Sequence, residues 1–313
     1  MTQRKPKRLA RRVTRADLEA ARLGTPCLFK VANEHGVEGF LPVGCLGLLA
    51  GAPGSGKSAL ALELLLAAAN GCPLLDEDAQ GIPYATAEQA GNVLYVSFEE
   101  TFGQLAHRLD KICESRGRDD SYLERMHVLG CDETNGSPLL EYDAHSGRAV
   151  ETELHENIAY QLQEDGPWSL IVLDTLAQSL PGAVETDQKA ATACLQHLRR
   201  WTELPGRPAV LVVHHSRKSE WVNANLTEWL DRALSQDSVR GASAIVATAR
   251  WVGMVARPPR TRDVYFEVTK AGGVADDAMP RLRLHLNRSG VLAPLRAPGR
   301  QQRGLFTDPK NTD

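Results

Sequence analysis

Eight consecutive residues, Gly51, Ala52, Pro53, Gly54, Ser55, Gly56, Lys57 and Ser58, have the types and spacing for one kind of chemistry. They fit the phosphate-binding pattern G-x-x-x-x-G-K-[ST]. Glycines let the backbone curl with its N–H groups pointing inward at phosphate oxygens. A helix that follows adds unpaired amides and the positive end of its dipole. In such a loop Lys57 can reach the β- and γ-phosphates of a nucleotide, and the Ser58 hydroxyl can sit on Mg²⁺.

Three further polar groups close apolar runs downstream. Residues 169–174 read Ser-Leu-Ile-Val-Leu-Asp, a buried strand ending in an acid. Behind a phosphate loop that is the Walker B pattern, with Asp174 able to hold Mg²⁺ through water or through Ser58. Residues 92–98 form an apolar run that ends in Glu99 and Glu100, and residues 208–213 form one closed by His214 and His215. Polar carboxyl ends of buried parallel strands are where doubly wound sheets place ligands.

The elements that must position these groups follow from the pattern. Residues 45–50 predict the strand before the loop, and the Ala/Leu-rich stretch 59–69 predicts the helix after it. Thr101 caps a helix over 102–115, with Leu105, Leu109 and Ile112 on one face. A short strand is expected at 126–130, a loop or edge hairpin over 132–147, and helices over 151–163 and 187–204. Residues 25–40 read as irregular, leading into a segment, 41–44, placed to pack near a nucleotide base. A short helix fits 227–234. Alternating late strands fit 263–270 and 282–286. The expected fold class is α/β, a mostly parallel central sheet flanked by helices with late antiparallel strands.

Composition removes several alternatives. The chain has 313 residues, 42% hydrophobic and 24% charged, with a formal net charge of −3, so any nucleic-acid contact must come from a local patch. No apolar run is long enough to span a bilayer, and the basic start lacks a secretory apolar core, so a cytoplasmic protein without a membrane partner is expected. None of the six cysteines forms a C-x-x-C pair; reduced thiols and no zinc site are the expectation. Seven Arg or Lys residues fall between Arg4 and Arg15 without an acid. This gives a basic arm over 1–23, a core domain over 24–295 and a polar tail over 296–313.

Read in order, the motifs are GAPGSGKS, an apolar strand ending in Glu99, LIVLDT, LVVHHSRK, RGAS with ARW, and VTKA. Over roughly residues 41–294 this order resembles the RecA-like P-loop ATPases of the plasmid RepA type, hexameric replicative helicases. The resemblance implies a RecA-like P-loop NTPase fold. It implies Glu99 as the base that polarises water, with Glu100 as the rival, and His214 or His215 as the γ-phosphate sensor. His214 is the nominated catalytic residue of the pair. It implies Arg250 as an arginine finger inserted into the next subunit's site. Arg108 resembles a second such arginine, and Lys270 reaches phosphates across the interface. Residues 217–241 become a loop facing a central channel. The implied function is an ATP-hydrolysing DNA helicase in replication of a plasmid or mobile element. Its implied form is a homo-hexamer on single-stranded DNA, with active sites between subunits.

Plainer readings stand beside these. Glu99 can cap the next helix, the two histidines can simply end a strand, and Arg250 can serve a structural ion pair. Glu220, Glu228, Asp231 and Asp237 in the 217–241 stretch weaken a phosphate-contact role there. The alternative function is a RecA-like DNA-binding or regulatory ATPase of the recombination-mediator type that does not translocate. A small-molecule kinase lacks support, since no lid with clustered arginines is evident and a strand-end Glu suits water activation.

Overall fold

The structure, a computed structural model, describes residues 14–16, 19, 24–33, 36–75, 85–87, 89–118, 120–217, 225–272 and 281–295. The expected tail 296–313 and nearly all of the expected arm 1–23 lie outside these. In chain order the first half carries β1 (Cys27–Asn33), β2 (Gly36–Pro42), β3 (Leu46–Gly51), α1 (Lys57–Asn70), β4 (Pro73–Leu74), β5 (Ala85–Ala87), β6 (Asn92–Ser97), α2 (Phe102–Arg116), β7 (Met126–Leu129), α3 (Cys131–Thr134), β8 (Leu140–Asp143) and β9 (Arg148–Glu151). The second half carries α4 (Glu153–Glu164), β10 (Trp168–Asp174), α5 (Leu176–Ser179), α6 (Ala183–Thr186), α7 (Gln188–Leu198), β11 (Ala209–His215), α8 (Leu226–Ala233), α9 (Ser243–Thr248), β12 (Trp251–Ala256), β13 (Asp263–Lys270), β14 (Leu282–Leu286) and β15 (Leu292–Pro294).

Nine strands form the main sheet in the order β15-β14-β13-β12-β3-β11-β10-β6-β7. From β12 to β7 every pairing is parallel, and β12 through β15 pair antiparallel. The α/β class with a mostly parallel sheet and late antiparallel strands is therefore what the chain adopts. β11 lies between the phosphate-loop strand β3 and the Walker B strand β10. All three end on the same edge.

Side-chain alternation along these strands sorts the core into two layers. Leu49, Val93, Tyr95, Leu170, Val172, Leu211 and Val213 join one layer together with α1. Leu48, Ala50, Leu94, Val96, Ile171, Leu173, Val210 and Val212 join the other, with Ile158 of α4 and Leu195 of α7. Successive strand side chains point to opposite faces, so each strand's last residues inherit a face from this pattern.

Helix α1 is buried almost all round, as its Ala/Leu composition requires. The main sheet covers one side of it, and the small sheet β2-β1-β5-β4 contributes Phe29, Val31, Phe40, Leu74 and Ala85 to the same layer. Truncating a fully buried leucine there, such as Leu60, costs about 2–5 kcal/mol. Glu63 is the polar exception on this helix. Its carboxylate meets the Arg116 guanidinium at 2.7 Å with both side chains nearly inaccessible, and Arg116 also donates to the Leu292 carbonyl. The pair ties α1, α2 and the strand-β15 edge together.

The capping prediction at Thr101 is met: its hydroxyl accepts from the Gln104 amide at 3.3 Å, and the Gln104 side chain accepts from the Thr101 amide at 2.9 Å. The region read as irregular, 25–40, is instead the β1–β2 hairpin, with Phe29 and Phe40 packed edge to face at 5.7 Å. Its end, Leu41 to Gly44, feeds the amino end of β3, away from the phosphate loop. Residues 140–151 make the hairpin β8–β9. The apolar run before Arg250 folds as the short helix α9. No described helix is long and apolar enough to cross a membrane.

Candidate nucleotide site

The phosphate loop leaves β3 at its carboxyl end. Gly51 passes so close to β12 that a Cβ there would stand 2.2 Å from the Val255 carbonyl oxygen. Gly56 caps α1 at φ 102°, a left-handed conformation that a side chain would strain. Lys57 is buried and donates from Nζ to the Ala52 carbonyl at 3.0 Å, curled back over its own loop. Burial lowers its ammonium pKa, against the pull of Asp174 and Glu99.

Asp174 ends β10 beside this lysine. Its Oδ2 accepts from the Tyr95 hydroxyl at 2.6 Å, while Oδ1 is buried without a hydrogen-bond partner among the described residues. Burial pushes the carboxyl pKa up, countered by the nearby Ser58 and Tyr95 hydroxyls and then by Lys57. A buried carboxylate oxygen left without a donor, next to a loop serine, fits a hydrated Mg²⁺. Ser58 and Asp174 are the residues that would hold it.

Glu99 follows β6 and reaches the same place. Its Oε1 accepts from the Thr175 hydroxyl at 3.1 Å and from Gln178 Nε2 at 3.4 Å. His215 Nε2 lies 3.7 Å away. The imidazole first, then the Thr175 hydroxyl, hold this carboxyl below the usual glutamate range, against the opposing effect of partial burial. Glu100 is engaged otherwise: its carboxylate pairs with Arg108.

A cavity of about 530 Å³ joins these groups, lined by the loop from Pro53 to Ser58, by Glu99, Glu100, Arg108, Asp174 and Thr175, and by His215 and Arg257. A cavity of about 680 Å³ lies elsewhere and contains none of them. The convergence of a phosphate loop, a buried acid and a strand-end glutamate marks the smaller one as the nucleotide site.

Two histidines expected to compete for one position are separated by strand alternation. His215 shares a face with Val213 and Leu211, the face of α1, and opens into the cavity. His214, nominated from sequence, points the other way. It is fully buried, its Nε2 is 2.8 Å from the Arg240 carbonyl, and burial lowers its pKa. Arg108 also departs from expectation, since it sits in its own chain's cavity on Glu100.

Arg250 is far from this cavity. Its amide bonds to the Leu46 carbonyl at the amino end of β3 and β12, with β12 between it and the loop, about 17–20 Å of strand. Its side chain is exposed and has no carboxylate partner among the described residues. Lys270 lies nearby and donates to the Val246 carbonyl at 3.1 Å, at the end of α9. Burial and the Arg250 charge both lower its pKa.

Sequence reasoning missed Tyr95, Thr175 and Arg257. Tyr95 is a core strand residue by type, and only its pairing with Asp174 makes it part of the site. Arg257 follows β12 as Arg after an apolar run. Its guanidinium stands 3.6 Å from where a Gly54 Cβ would be. The signal was available once β12 was known to run parallel beside β3.

Fold and site together define a RecA-like P-loop ATPase. A family model described as an AAA domain matches residues 29–220, more than half of the chain, and the protein belongs to that family. No curated protein sequence matches it. Among solved structures it is similar to the RadB recombinase, at TM-score 0.51 and 15% identity, over 84% of this chain and 94% of that one. It is also similar to a KaiC-like protein from the archaeon Pyrococcus horikoshii OT3, at TM-score 0.50 and 13% identity, over 87% of this chain and 97% of that one. At such identities the likeness concerns the fold alone.

Proposed function

We propose that the protein is a Mg²⁺-dependent ATP hydrolase that works as a ring, hexameric in form, and moves along single-stranded DNA as a helicase or translocase. The observation that carries the ring is Arg250, exposed at the strand edge opposite the phosphate loop, without an acid partner among the described residues and with Lys270 beside it. From there it cannot reach the nucleotide of its own chain. It can reach that of a neighbour stacked edge to edge.

In this reading the loop amides from Gly51 to Gly56 and Lys57 hold the triphosphate, while Ser58 and Asp174 hold the metal. Mg²⁺ bound there would neutralise charge on the β- and γ-phosphate oxygens. Glu99 is ionised at neutral pH and stands where it can orient a water and accept its proton. Thr175 and Gln178 fix its carboxylate. His215, between the loop strand and Glu99, takes the sensor role in place of His214. Arg257 adds positive charge beside the loop in cis, and the neighbour's Arg250 and Lys270 supply it in trans.

A second reading keeps the ATPase and drops translocation. It gains from the 217–241 stretch. Its described part holds α8, with Trp229 and Leu230 buried and Asp231 paired with Arg281 at 3.0 Å, rather than a free basic loop. One similar structure is described as a recombinase. ATP hydrolysis measured with and without single-stranded DNA, with Lys57→Ala as the blank, tests the common ground. Unwinding of a forked duplex separates the readings. DNA-stimulated turnover with unwinding is expected; hydrolysis indifferent to DNA would refute the motor.

A further inference from the structure

On the opposite face of the sheet from α1, three potential metal ligands meet. Glu151 ends strand β9, His155 sits in the first turn of α4, and His197 in the last turn of α7. Glu151 Oε1 is 3.0 Å from His197 Nε2, and Glu151 Oε2 is 3.9 Å from His155 Nδ1. One donor atom from each residue falls within 4.8 Å of the others. The two imidazole rings stand 5.0 Å apart, and Trp201 stacks on His155 at 5.4 Å.

His155 is the residue that asks for a ligand. It is 4% exposed, and neither ring nitrogen has a hydrogen-bond partner among the described residues. Proteins seldom leave a buried ring nitrogen unsatisfied without a reason. Burial holds both imidazoles on their neutral side, which leaves lone pairs to donate.

We propose that Glu151, His155 and His197 form a three-ligand site for a zinc-type divalent transition-metal ion, separate from the nucleotide site. Two imidazoles and one carboxylate are the borderline donor set that suits such an ion and suits Mg²⁺ poorly. Metal–ligand bonds of about 2.0–2.2 Å bring tetrahedral donors to roughly 3.3 Å apart, so the side chains close in by about an ångström. Glu151, half exposed at the rim, has the freedom to do so. Of the three, His197 also lines the 680 Å³ cavity, together with Arg148, Arg199 and Arg200. Coordination would tie the β8–β9 hairpin and α4 to α7. The expectation of no zinc site rested on cysteine spacing, and this donor set contains no cysteine.

The test uses the untagged full chain, stripped with a chelator and titrated with Co²⁺, then with Zn²⁺ against a chromophoric competitor. One equivalent of Co²⁺ with the visible bands of a four-coordinate N/O site is expected, displaced by Zn²⁺, with a raised thermal midpoint. His197→Gln and the rim variant Glu151→Gln should each weaken binding by about 100-fold, with far-ultraviolet dichroism and ATPase activity unchanged. Absence of the bands at equimolar ion would overturn the site. So would thiolate charge-transfer bands, which place the ion on cysteines, or equal binding by wild type and Glu151→Gln.

Discussion

The two edges of the main sheet carry charge in opposite ways. At the carboxyl edge the acids of the cavity have partners in their own chain: Asp174 Oδ2 has Tyr95, Glu99 has Thr175, Gln178 and the nearby His215, and Glu100 has Arg108. At the amino edge Arg250 stands exposed beside Lys270, and neither meets a carboxylate among the described residues. At one edge the charges are paired within the chain; at the other Lys270 is held by the α9 carbonyl end and Arg250 alone is exposed. The difference points to a site whose negative half is built in cis and whose last positive charges come from a neighbour.

Substitutions at the two edges should therefore fail in different ways. Lys57→Ala removes the phosphate-loop cation, and no turnover above background is expected in a phosphate-release assay. Arg250→Ala should lower kcat by about 10³-fold or more while leaving nucleotide affinity of the isolated chain unchanged. An equal loss of affinity, seen by equilibrium binding, would move Arg250 out of a trans role. Glu99→Gln should lower kcat by about 10²–10⁴-fold with ATP binding retained. Glu100→Gln should cost far less, because Glu100 is committed to Arg108.

Tyr95→Phe withdraws the donor from Asp174 Oδ2 and leaves that carboxylate less satisfied. A loss of about 1–3 kcal/mol in denaturant unfolding is expected, with activity reduced less than in Glu99→Gln. The smallest effect is on pH dependence. In the proposed mechanism Glu99 is the ionised base; its pKa is held below the ordinary glutamate range, so the acid limb of kcat/KM should lie below that range too. His215 is the leading cause of the depression. His215→Asn should move the acid limb upward, whereas His214→Asn, on the other face, should leave it in place.

The histidine pair also shows what was legible in the chain. The glycine loop, Asp174 and Glu99 could be read because each terminates a continuous apolar run, the mark of a strand buried on both faces. Which of His214 and His215 faces the nucleotide was a question of parity, fixed by the layer to which Leu211 and Val213 belong. That layer is defined only when α1 is laid on one face of the sheet. Arg257 stayed hidden for a related reason: its importance depends on β12 being the parallel neighbour of β3, a long-range pairing with no local signal. The β1–β2 hairpin was read as irregular because its polar stretch, 33–38, breaks the apolar alternation of a strand. Glu151, His155 and His197 have no motif spacing at all, since a hairpin and two helices bring them together.

The most direct test of a site shared between chains is complementation in mixed assemblies. Lys57→Ala keeps a sound Arg250 edge and a dead loop; Arg250→Ala keeps a sound loop and a dead edge. Mixed under conditions that allow subunits to exchange, the two inactive variants should recover ATP hydrolysis, because some interfaces then join a sound loop to a sound arginine. Failure of the mixture to hydrolyse ATP, with both variants shown to co-assemble, would contradict the trans account and return Arg250 to a structural role.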